Sequence, residues 1–294
     1  MRALLRIAAT PLLLVIAGTA VAVTLRGGWN EQLLLAAMLV FTLVYLRIFE
    51  ALIPLEPSWQ VRREDAWPDI AHLILVNAFS GVGAMAALAV ALRLHQALGL
   101  EAAFWRDVPV ALQAAVAMIA GEFLPYWYHR ASHGNHPFLW RVHSIHHLTP
   151  HLNSLKASWM HPVNTFLNAF MKMLPVLALG FSEETLVVVT VFSLVIGYMS
   201  HANIDARTGP LDYLIATPHI HHFHHSVRPE EARNYGVNVM VWDLLFRTHF
   251  NARGRVGEVG VQPSPASPYP RLDSVLHQLR FPFQRPPKPP AAAP

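Results

Sequence analysis

Residues 129–147 read HRASHGNHPFLWRVHSIHH, and they hold two patterns that are typical of metal ligands. The histidines of interest stand three or four residues apart within each pattern: His129, His133, His143, His146 and His147. Residues at these spacings share one face of a helix, so each set is expected to project its imidazoles in one direction. Neutral imidazole is the commonest nitrogen ligand of iron, zinc and copper. The stretch therefore predicts a metal centre.

The H-x-x-H-H pattern returns downstream at His221, His224 and His225. Fifteen of the 18 histidines lie between His129 and His249, whereas histidines scattered through a core would not cluster in this way. The eight imidazoles of these motifs exceed what one zinc ion uses, because catalytic zinc takes three protein ligands and structural zinc takes four. The motifs predict two metal ions, and all-nitrogen sites suit iron, zinc, copper or nickel.

The composition indicates a membrane protein. Hydrophobic residues make up 53% of the 294 residues and charged residues only 14%, against about 25% charged residues in soluble domains. Apolar runs long enough for membrane helices occupy residues 3–25, 32–54, 71–92, 108–128, 165–181 and 184–200. The first run can instead be a cleaved signal peptide, since Ala20-Val21-Ala22 resembles a cleavage site. The last two runs are either two crossings or a re-entrant hairpin.

These runs predict an all-α fold, a polytopic membrane bundle of four to six spans with a cytosolic, histidine-rich helical cap. The predicted regions are N-terminal spans (1–128), a first histidine-rich region (129–163), a transmembrane or re-entrant pair (164–200), a second histidine-rich region (201–261) and a proline-rich tail (262–294). The tail composition predicts irregular chain that buries no core. One short amphipathic helix is expected there at residues 272–279.

The distribution of positive charge predicts the orientation. With six crossings, or with four crossings and a re-entrant hairpin, both histidine-rich regions lie on the same side as the N-terminus. The loops on the other side offer only Arg26, Arg93 and Arg106, and the histidine side carries nearly all the other basic residues. By the positive-inside rule, the histidine side faces the cytoplasm. The two motifs can then meet at one site.

The motifs and their flanking residues resemble the fatty acid hydroxylase/sterol desaturase family, integral-membrane oxygenases with a non-haem diiron centre. The matching stretches are HRASH (129–133), HSIHH (143–147), HAN (201–203), TPHIHHFHHS (217–226) and NYGVNVMVWDLLFRT (234–248). The resemblance implies two iron ions at the cytosolic end of the bundle, O2 as co-substrate, and hydroxylation or desaturation of a lipid. It carries over nine ligands: His129, His133, His143, His146, His147, His201, His221, His224 and His225.

Other polar residues near the motifs are candidate hydrogen-bond partners of the ligand imidazoles: Glu122, His161, Asp205, His222, Asn234 and Asp243. Asp205 stands four residues after His201 and is expected to face the same metal. The family usually has Asp where Glu122 stands, Glu where Asn164 stands and Gly where Arg247 stands. None of these departures removes a candidate ligand. They therefore affect the inference of the substrate more than the inference of the class of activity. The aromatic residues near the motif are predicted to lie at the membrane interface: Trp127, Tyr128 and Trp140.

The electrons for such an oxygenase must come from a separate protein. The chain has no cysteine for an iron–sulfur cluster and no G-x-G-x-x-G fingerprint after a strand. We expect a cytochrome, a ferredoxin or a reductase as the donor. The net charge of +4 is spread along the chain without a basic block, so nucleic acid is not an expected partner.

Two other functions also explain histidines in a membrane protein. A divalent-metal transporter would place its ligands near the bilayer midplane, inside the spans. A zinc-dependent lipid hydrolase would need three ligands and a water, which leaves most of the imidazoles unexplained. The oxygenase is favoured because the histidines are many and lie beyond the ends of the apolar runs.

Overall fold

The fold is described from a computed structural model, which covers residues 1–99, 102–134, 136–262 and 269–284. The regular secondary structure of these residues is helical, with short 3₁₀ turns, irregular connections and no strand. The helices are α1 (Arg2–Gly27), α2 (Glu31–Leu52), α3 (Ala66–Leu98), α4 (Val110–Ser132), α5 (Pro137–His147), α6 (Pro162–Ala178), α7 (Glu183–Ser200), α8 (Pro218–His224), α9 (Val241–Leu245) and α10 (Val275–Arg280). The predicted all-α class is confirmed.

Within the described part of the chain, five helices are long and apolar enough to cross a membrane: α1, α2, α3, α4 and α7. Helix α6 has 17 residues and lies beside them. Many large apolar side chains on these helices face outward, such as Leu33 and Met85, which are 71% and 70% exposed. Contiguous apolar surface of this kind is stable against lipid and not against water. The protein is therefore an integral membrane protein with a span count inside the predicted range.

The start of α1 and the end of α2 lie at the histidine-rich end of the bundle. Arg6 pairs with Asp205 at 2.7 Å. Glu50 is fully buried and accepts hydrogen bonds from the backbone N–H groups of Ser154 and Asn203. A buried carboxylate that satisfies two backbone donors fixes both chain segments to its own helix. Helices α1 and α2 therefore run antiparallel, and their connection lies at the far end.

The start of α3 carries a buried charge cluster at the same histidine-rich end. Lys156 is 1% exposed, and its Nζ lies 3.0 Å from Asp65 and 2.8 Å from Asp69. The indole N–H of Trp159 donates to Asp69, and the Lys156 ammonium lies over the same indole ring. Charges this deep are stable only when they are paired and hydrogen-bonded. The cluster therefore anchors the loop after α5 to the beginning of α3.

The far end of the bundle is closed by contacts between the α3–α4 and α6–α7 connections. The Trp105 indole N–H donates to the Leu179 carbonyl at 2.7 Å. Gln113 Oε1 accepts from the Ser182 backbone N–H and the Thr185 hydroxyl. Since Asn164 at the other end of α6 lies beside the histidines, α6 and α7 reach the same depth as α3 and α4.

The bundle is held together by α7 and by a close approach of α3 to α6. Helix α7 packs against α1, α2 and α4, and its Val191 and Val195 are fully buried. Helix α6 packs between α3 and α4. A Cβ atom on Gly83 would lie 2.6 Å from the Phe166 carbonyl oxygen, so only glycine allows this separation of α3 and α6.

The part of the C-terminal tail at residues 269–284 packs on the histidine-rich end, which corrects the prediction that the tail buries no core. Phe281 is 3% exposed and packs with Ile145 and Leu148. Gln278 is buried, with its Oε1 2.6 Å from Nε2 of His72. The short helix expected at 272–279 is present as α10. Residues 263–268 and 285–294, also predicted to be irregular, lie outside the described residues.

Candidate metal centre

The nine predicted ligands converge in two groups of imidazoles. The first group contains His129, His133, His143, His147 and His224. The second group contains His146, His201, His221 and His225. Within each group the candidate ligand nitrogens all lie within 4.8 Å of one another. Each group therefore offers enough nitrogen ligands for one metal ion.

Short helices that begin at proline present most of these imidazoles. Proline fits the first helical position because its missing N–H has no helical partner there. Helix α8 follows this rule with Pro218, and the Thr217 hydroxyl caps it by accepting from the Ile220 backbone N–H. Helix α5 likewise starts at Pro137 after His136, whose ring nitrogen accepts from the Leu139 N–H. The histidines of both helices then follow within two or three turns.

Each H-x-x-H-H motif divides its imidazoles between the two groups. On α5, His143 and His147 enter the first group while His146 enters the second. On α8, His221 enters the second group and His224 the first. The expectation that all three imidazoles of a motif point in one direction is wrong, because positions i+3 and i+4 differ by about 100° around a helix. Each metal group therefore draws on both histidine-rich regions.

The nitrogens of the first group surround His143. Its Nε2 lies 3.1 Å from Nε2 of His129, 3.1 Å from Nε2 of His133 and 3.0 Å from Nε2 of His147. Nitrogens bound to one ion at about 2.0–2.1 Å, with right angles between bonds, would lie about 3 Å apart. One N–H cannot satisfy three neighbouring lone pairs, whereas one cation can.

The second group has the same arrangement around His201. Its Nε2 lies 3.0 Å from both His146 and His221 and 3.3 Å from His225. The two groups adjoin each other, since the ring centroids of His147 and His225 are 4.3 Å apart. The geometry suits two ions held side by side.

Hydrogen bonds at Nδ1 set the tautomer of several ligands. Nδ1 lies 2.7 Å from the Tyr235 carbonyl in His129, 2.7 Å from Arg233 O in His224, 3.1 Å from Trp159 O in His146 and 2.9 Å from Gly197 O in His201. A carbonyl oxygen only accepts, so each Nδ1 carries the proton and donates. The Nε2 lone pair is then free and faces the group, as in metal-bound histidine.

The Nε2 atom of His224 is buried and has no hydrogen-bond partner among the described residues. A buried polar atom without a partner costs free energy unless something else satisfies it. Because this Nε2 belongs to the first group, a metal ion held there would satisfy it. The residues present therefore fit a metal centre with nitrogen ligands.

Burial keeps these imidazoles neutral. It lowers the pKa of His221 and His225 well below the usual value, and neighbouring histidines lower each pKa further. For His201, burial lowers the pKa to about 3. Only the neutral form offers a lone pair to a metal. The ligands are therefore ready to bind at neutral pH without losing protons.

Three of the predicted partner residues bind the backbone next to the candidate ligands and not the imidazoles themselves. Asp243 accepts from the backbone N–H groups of Tyr235 and Gly236. Glu122 accepts from the next two N–H groups, at residues 237 and 238, and pairs with Lys172. The loop so fixed presents the Tyr235 carbonyl to His129.

Asn234 fixes α8 relative to the same loop. Its amide donates to the carbonyls of Ile220 and Phe250, and its Oδ1 accepts from the Phe250 N–H. Like Glu122 and Asp243, Asn234 is thus a positioning residue one step removed from the ligands.

Three other predicted partners lie elsewhere. Asp205 pairs with Arg6 and Arg255, because the chain leaves the helical path directly after His201. His161 caps α6, and its Nε2 lies 3.1 Å from the Leu279 carbonyl in the C-terminal segment. His222 lies on the other face of α8, edge-on to Trp59. The expectation that Asp205 faces the metal is wrong.

Asn164 and Tyr128 are polar neighbours of the centre that were not predicted as such. The Asn164 Oδ1 lies 3.2 Å from Nδ1 of His143 and accepts from the Tyr128 hydroxyl at 3.1 Å. Tyr128 is 7% exposed and thus not an interfacial aromatic. The one signal in the sequence was that Asn164 replaces a glutamate usual in the family. No spacing rule connects residue 164 to His143.

Comparison with known proteins agrees with this site. Residues 114–248, which contain all nine candidate ligands, match the fatty acid hydroxylase family. The ornithine lipid hydroxylase OlsE of Rhizobium tropici is 33% identical over 261 residues, 84% of this chain and 77% of that protein. The alkylglycerol monooxygenase of Danio rerio is 29% identical over 124 residues, 42% of this chain and 27% of that protein. No solved structure matches the chain.

The chain therefore belongs to the fatty acid hydroxylase family. It is an oxidoreductase of the lipid hydroxylase class, as the motifs predicted. The family match runs from the first turns of α4 past α9, and this part of the chain holds both imidazole groups.

Proposed function

We propose that the protein is a membrane-bound, non-haem diiron oxygenase that hydroxylates or desaturates a lipid C–H bond with O2. The observation that carries this proposal is the convergence of nine histidines in two adjacent groups at one end of a membrane bundle. Five nitrogens would hold one iron ion and four the other. The long similarity to an ornithine lipid hydroxylase makes a lipid of that kind the first substrate to test.

Bound iron would supply an oxidant able to attack an unactivated C–H bond. The protein residues would hold the two iron ions and orient them. The Nε2 atoms of the two groups would bind the iron, and the carbonyls that accept from Nδ1 of four ligands keep those rings in place: His129, His146, His201 and His224. Eight of the nine candidate ligands are buried and His133 is half-buried, which keeps bulk water away from the reacting atoms. Asn164 and Tyr128 connect the centre to the membrane part of the bundle.

We also propose that α6 and α7 both cross the membrane and that the metal centre faces the cytoplasm. The equal depth of the α3–α4 and α6–α7 connections supports the first point. The excess of arginine on the histidine side supports the second. A separate cytochrome, ferredoxin or reductase would deliver electrons from that side. The division of the chain at residues 128, 163, 200 and 261 stays a prediction.

The two alternative functions have less support. The imidazole groups lie at one end of the bundle, from the last turn of α4 and the end of α7 onward, whereas a transporter needs its ligands near the middle of the spans. A zinc hydrolase of lipids needs one metal ion with an open position. Two groups with five and four imidazoles offer more ligands than one such zinc ion would use.

Elemental analysis of the purified protein tests the proposal. We expect about two irons per chain, the number that two groups of nitrogen ligands would hold. His143→Ala removes the nitrogen at the middle of the first group, so its iron content should fall by half or more. His219→Ala is the matched control, since His219 lies on α8 outside both groups. With ¹⁸O2 and reductant, the loaded protein should place ¹⁸O in a hydroxylated lipid.

One zinc and no iron, after growth with ample iron, would contradict the diiron proposal and favour the hydrolase. Equal iron in His143→Ala and the wild type would show that the iron lies elsewhere.

A further inference from the structure

An oxidisable aromatic pair leads from the first imidazole group toward the protein surface. The ring of Trp140 lies 5.4 Å from His133 and 5.9 Å from His147, measured between ring centroids. The Trp140 indole N–H donates to the Tyr269 hydroxyl oxygen at 3.1 Å. Tyr269 is partly exposed. Among the described residues, neither side chain takes part in the hydrogen bonds that orient the candidate ligands.

We propose that Trp140 and Tyr269 form a protective electron-transfer pair, which reduces the oxidised metal centre when no lipid is bound. This inference rests on the proposed oxygenase function. In productive turnover, two electrons from the donor and two from the lipid C–H bond reduce O2 to one hydroxyl oxygen and one water. Without lipid, the centre lacks the last two electrons and oxidises whatever lies nearest.

The pair supplies each missing electron in two steps. Trp140 gives one electron to the oxidised centre. Tyr269 then gives one electron to the oxidised Trp140. The Trp140 N–H stays in its hydrogen bond throughout, while the Tyr269 phenol releases its proton to water. A small thiol in solution then gives one hydrogen atom to Tyr269 and becomes half of a disulfide. Two such events and two protons from water complete the reduction of O2 to water.

The contacts of Trp140 and Tyr269 explain why this pair would serve and another aromatic would not. Tyr235 also contacts the first group, at 5.6 Å from His133 between ring centroids. Its other aromatic neighbour is Tyr126, which is fully buried. Tyr235 is partly exposed, as Tyr269 is, but among the described residues its hydroxyl has no hydrogen-bonded aromatic partner that could pass the oxidation on, whereas Trp140 has Tyr269. The chain also has no cysteine that could act as an internal reductant.

A single-turnover experiment without lipid tests the proposal. The iron-loaded protein is reduced anaerobically with two electrons per chain, exposed to O2, and examined by peptide mass spectrometry and freeze-quench electron paramagnetic resonance. We expect an aromatic radical and oxidation products concentrated at Trp140 and Tyr269. Trp140→Phe should abolish oxidation at Tyr269, and Tyr269→Phe should increase oxidation at Trp140 severalfold. Added thiol should protect the wild type and not Tyr269→Phe.

The matched control is Trp242→Phe, because Trp242 donates to the Ile119 carbonyl and contacts neither group. This variant should behave as the wild type. Oxidation spread evenly over the tryptophans, or concentrated at Tyr235, would overturn the pair as the electron path. If the wild type binds iron and consumes O2 without oxidation at Trp140 or Tyr269, only this inference fails. If it consumes no O2, the proposed oxygenase function fails and the pair with it.

Discussion

Asn164 is the residue through which the membrane part of the bundle orients a ligand. Its Oδ1 accepts from His143 and from Tyr128. Asn164→Leu removes this acceptor and leaves the His143 ring free to turn. We expect iron affinity to fall roughly 10- to 100-fold, as is usual when a ligand loses its hydrogen-bond partner.

Iron retained against a competing chelator measures this effect. Asn168→Leu is the matched control, because Asn168 lies one turn further along α6 and its Oδ1 has no partner within the described part of the chain. Asn164→Asp keeps an acceptor and should retain iron nearly as well as the wild type. Equal retention in Asn164→Leu and Asn168→Leu would show that the contact to His143 does not matter.

Spacing in the sequence identified the histidines that converge but not their arrangement. Every histidine chosen from the motifs lies in one of the two groups. The motifs could show this because the spacing of residues along one helix is already visible in the sequence. Which group a histidine joins depends on how α5, α7 and α8 pack, so the position of His146 beside His201 was not predictable. The prediction that Asp205 faces the metal was wrong because an i+4 spacing places two residues on one face only within a helix. Helix α7 ends at Ser200, before Asp205.

Arg247 shows where a family comparison adds what spacing cannot. The residue has φ 57°, in the left-handed region that favours glycine, and the family usually has glycine there. The Arg247 side chain is exposed and its carbonyl accepts from Arg233, so the turn is kept without glycine. The departure therefore concerns local backbone strain and not the metal centre.

At the scale of helices, the contact of α3 with α6 depends on Gly83. Gly83→Ala would place a methyl carbon 2.6 Å from the Phe166 carbonyl oxygen. A backbone atom cannot turn away as a side chain can, so the two helices must separate. We expect the free energy of unfolding to fall by about 1–3 kcal/mol, the usual cost of overpacking.

Thermal unfolding in detergent measures this difference. Gly81→Ala is the control, since a Cβ atom there meets nothing within 4 Å. That variant should be neutral or stabilised by up to about 1 kcal/mol, because alanine favours a helix over glycine. Equal loss of stability in both variants would mean that glycine itself, and not the contact with Phe166, is needed in α3.

Apolar runs predicted the long helices well but not the C-terminal segment. Helices α2 and α7 nearly match the runs at 32–54 and 184–200. The proline content of the tail predicts irregular chain and gives no sign of the buried positions of Phe281 and Gln278. These two residues fill the space between α3 and α5, and such complementarity arises only when the elements meet.

At the scale of the whole molecule, the buried histidines should make the metal-free protein sensitive to acid. Burial lowers the pKa of His221 and His225 in the folded protein, while the unfolded chain takes up protons near pH 6.5. Below that pH the unfolded state binds more protons, so stability falls as the pH falls. Each such histidine lowers the free energy of unfolding by at most about 1.4 kcal/mol for each pH unit below 6.5. Above pH 6.5 these histidines no longer make the free energy of unfolding depend on pH.

The unfolding midpoint of the chelator-treated protein, measured from pH 8 to pH 5, gives this slope. His222→Phe removes one buried histidine without removing a candidate ligand, and burial holds the pKa of His222 at about 4. The variant should show a shallower slope than the wild type. A midpoint independent of pH would contradict the neutral, buried state of these histidines.

The absence of cysteine gives a direct test of the orientation. Arg228 is 64% exposed at the histidine-rich end, and Trp29 is 65% exposed at the α1–α2 connection. In intact cells, Trp29→Cys should react with a membrane-impermeant maleimide, and Arg228→Cys should react only after the membrane is opened. The reverse pattern would contradict a cytoplasmic metal centre.

The division of each motif between two metal groups has a consequence for biogenesis. When a ribosome has made the chain as far as residue 200, the first group has four of its five imidazoles and the second has one of four. Neither group is complete until α8 has been made and has docked on α5. If the two groups hold metal as proposed, loading would be a late event in synthesis, and a stalled or truncated chain would offer a partial cluster open to the wrong ion.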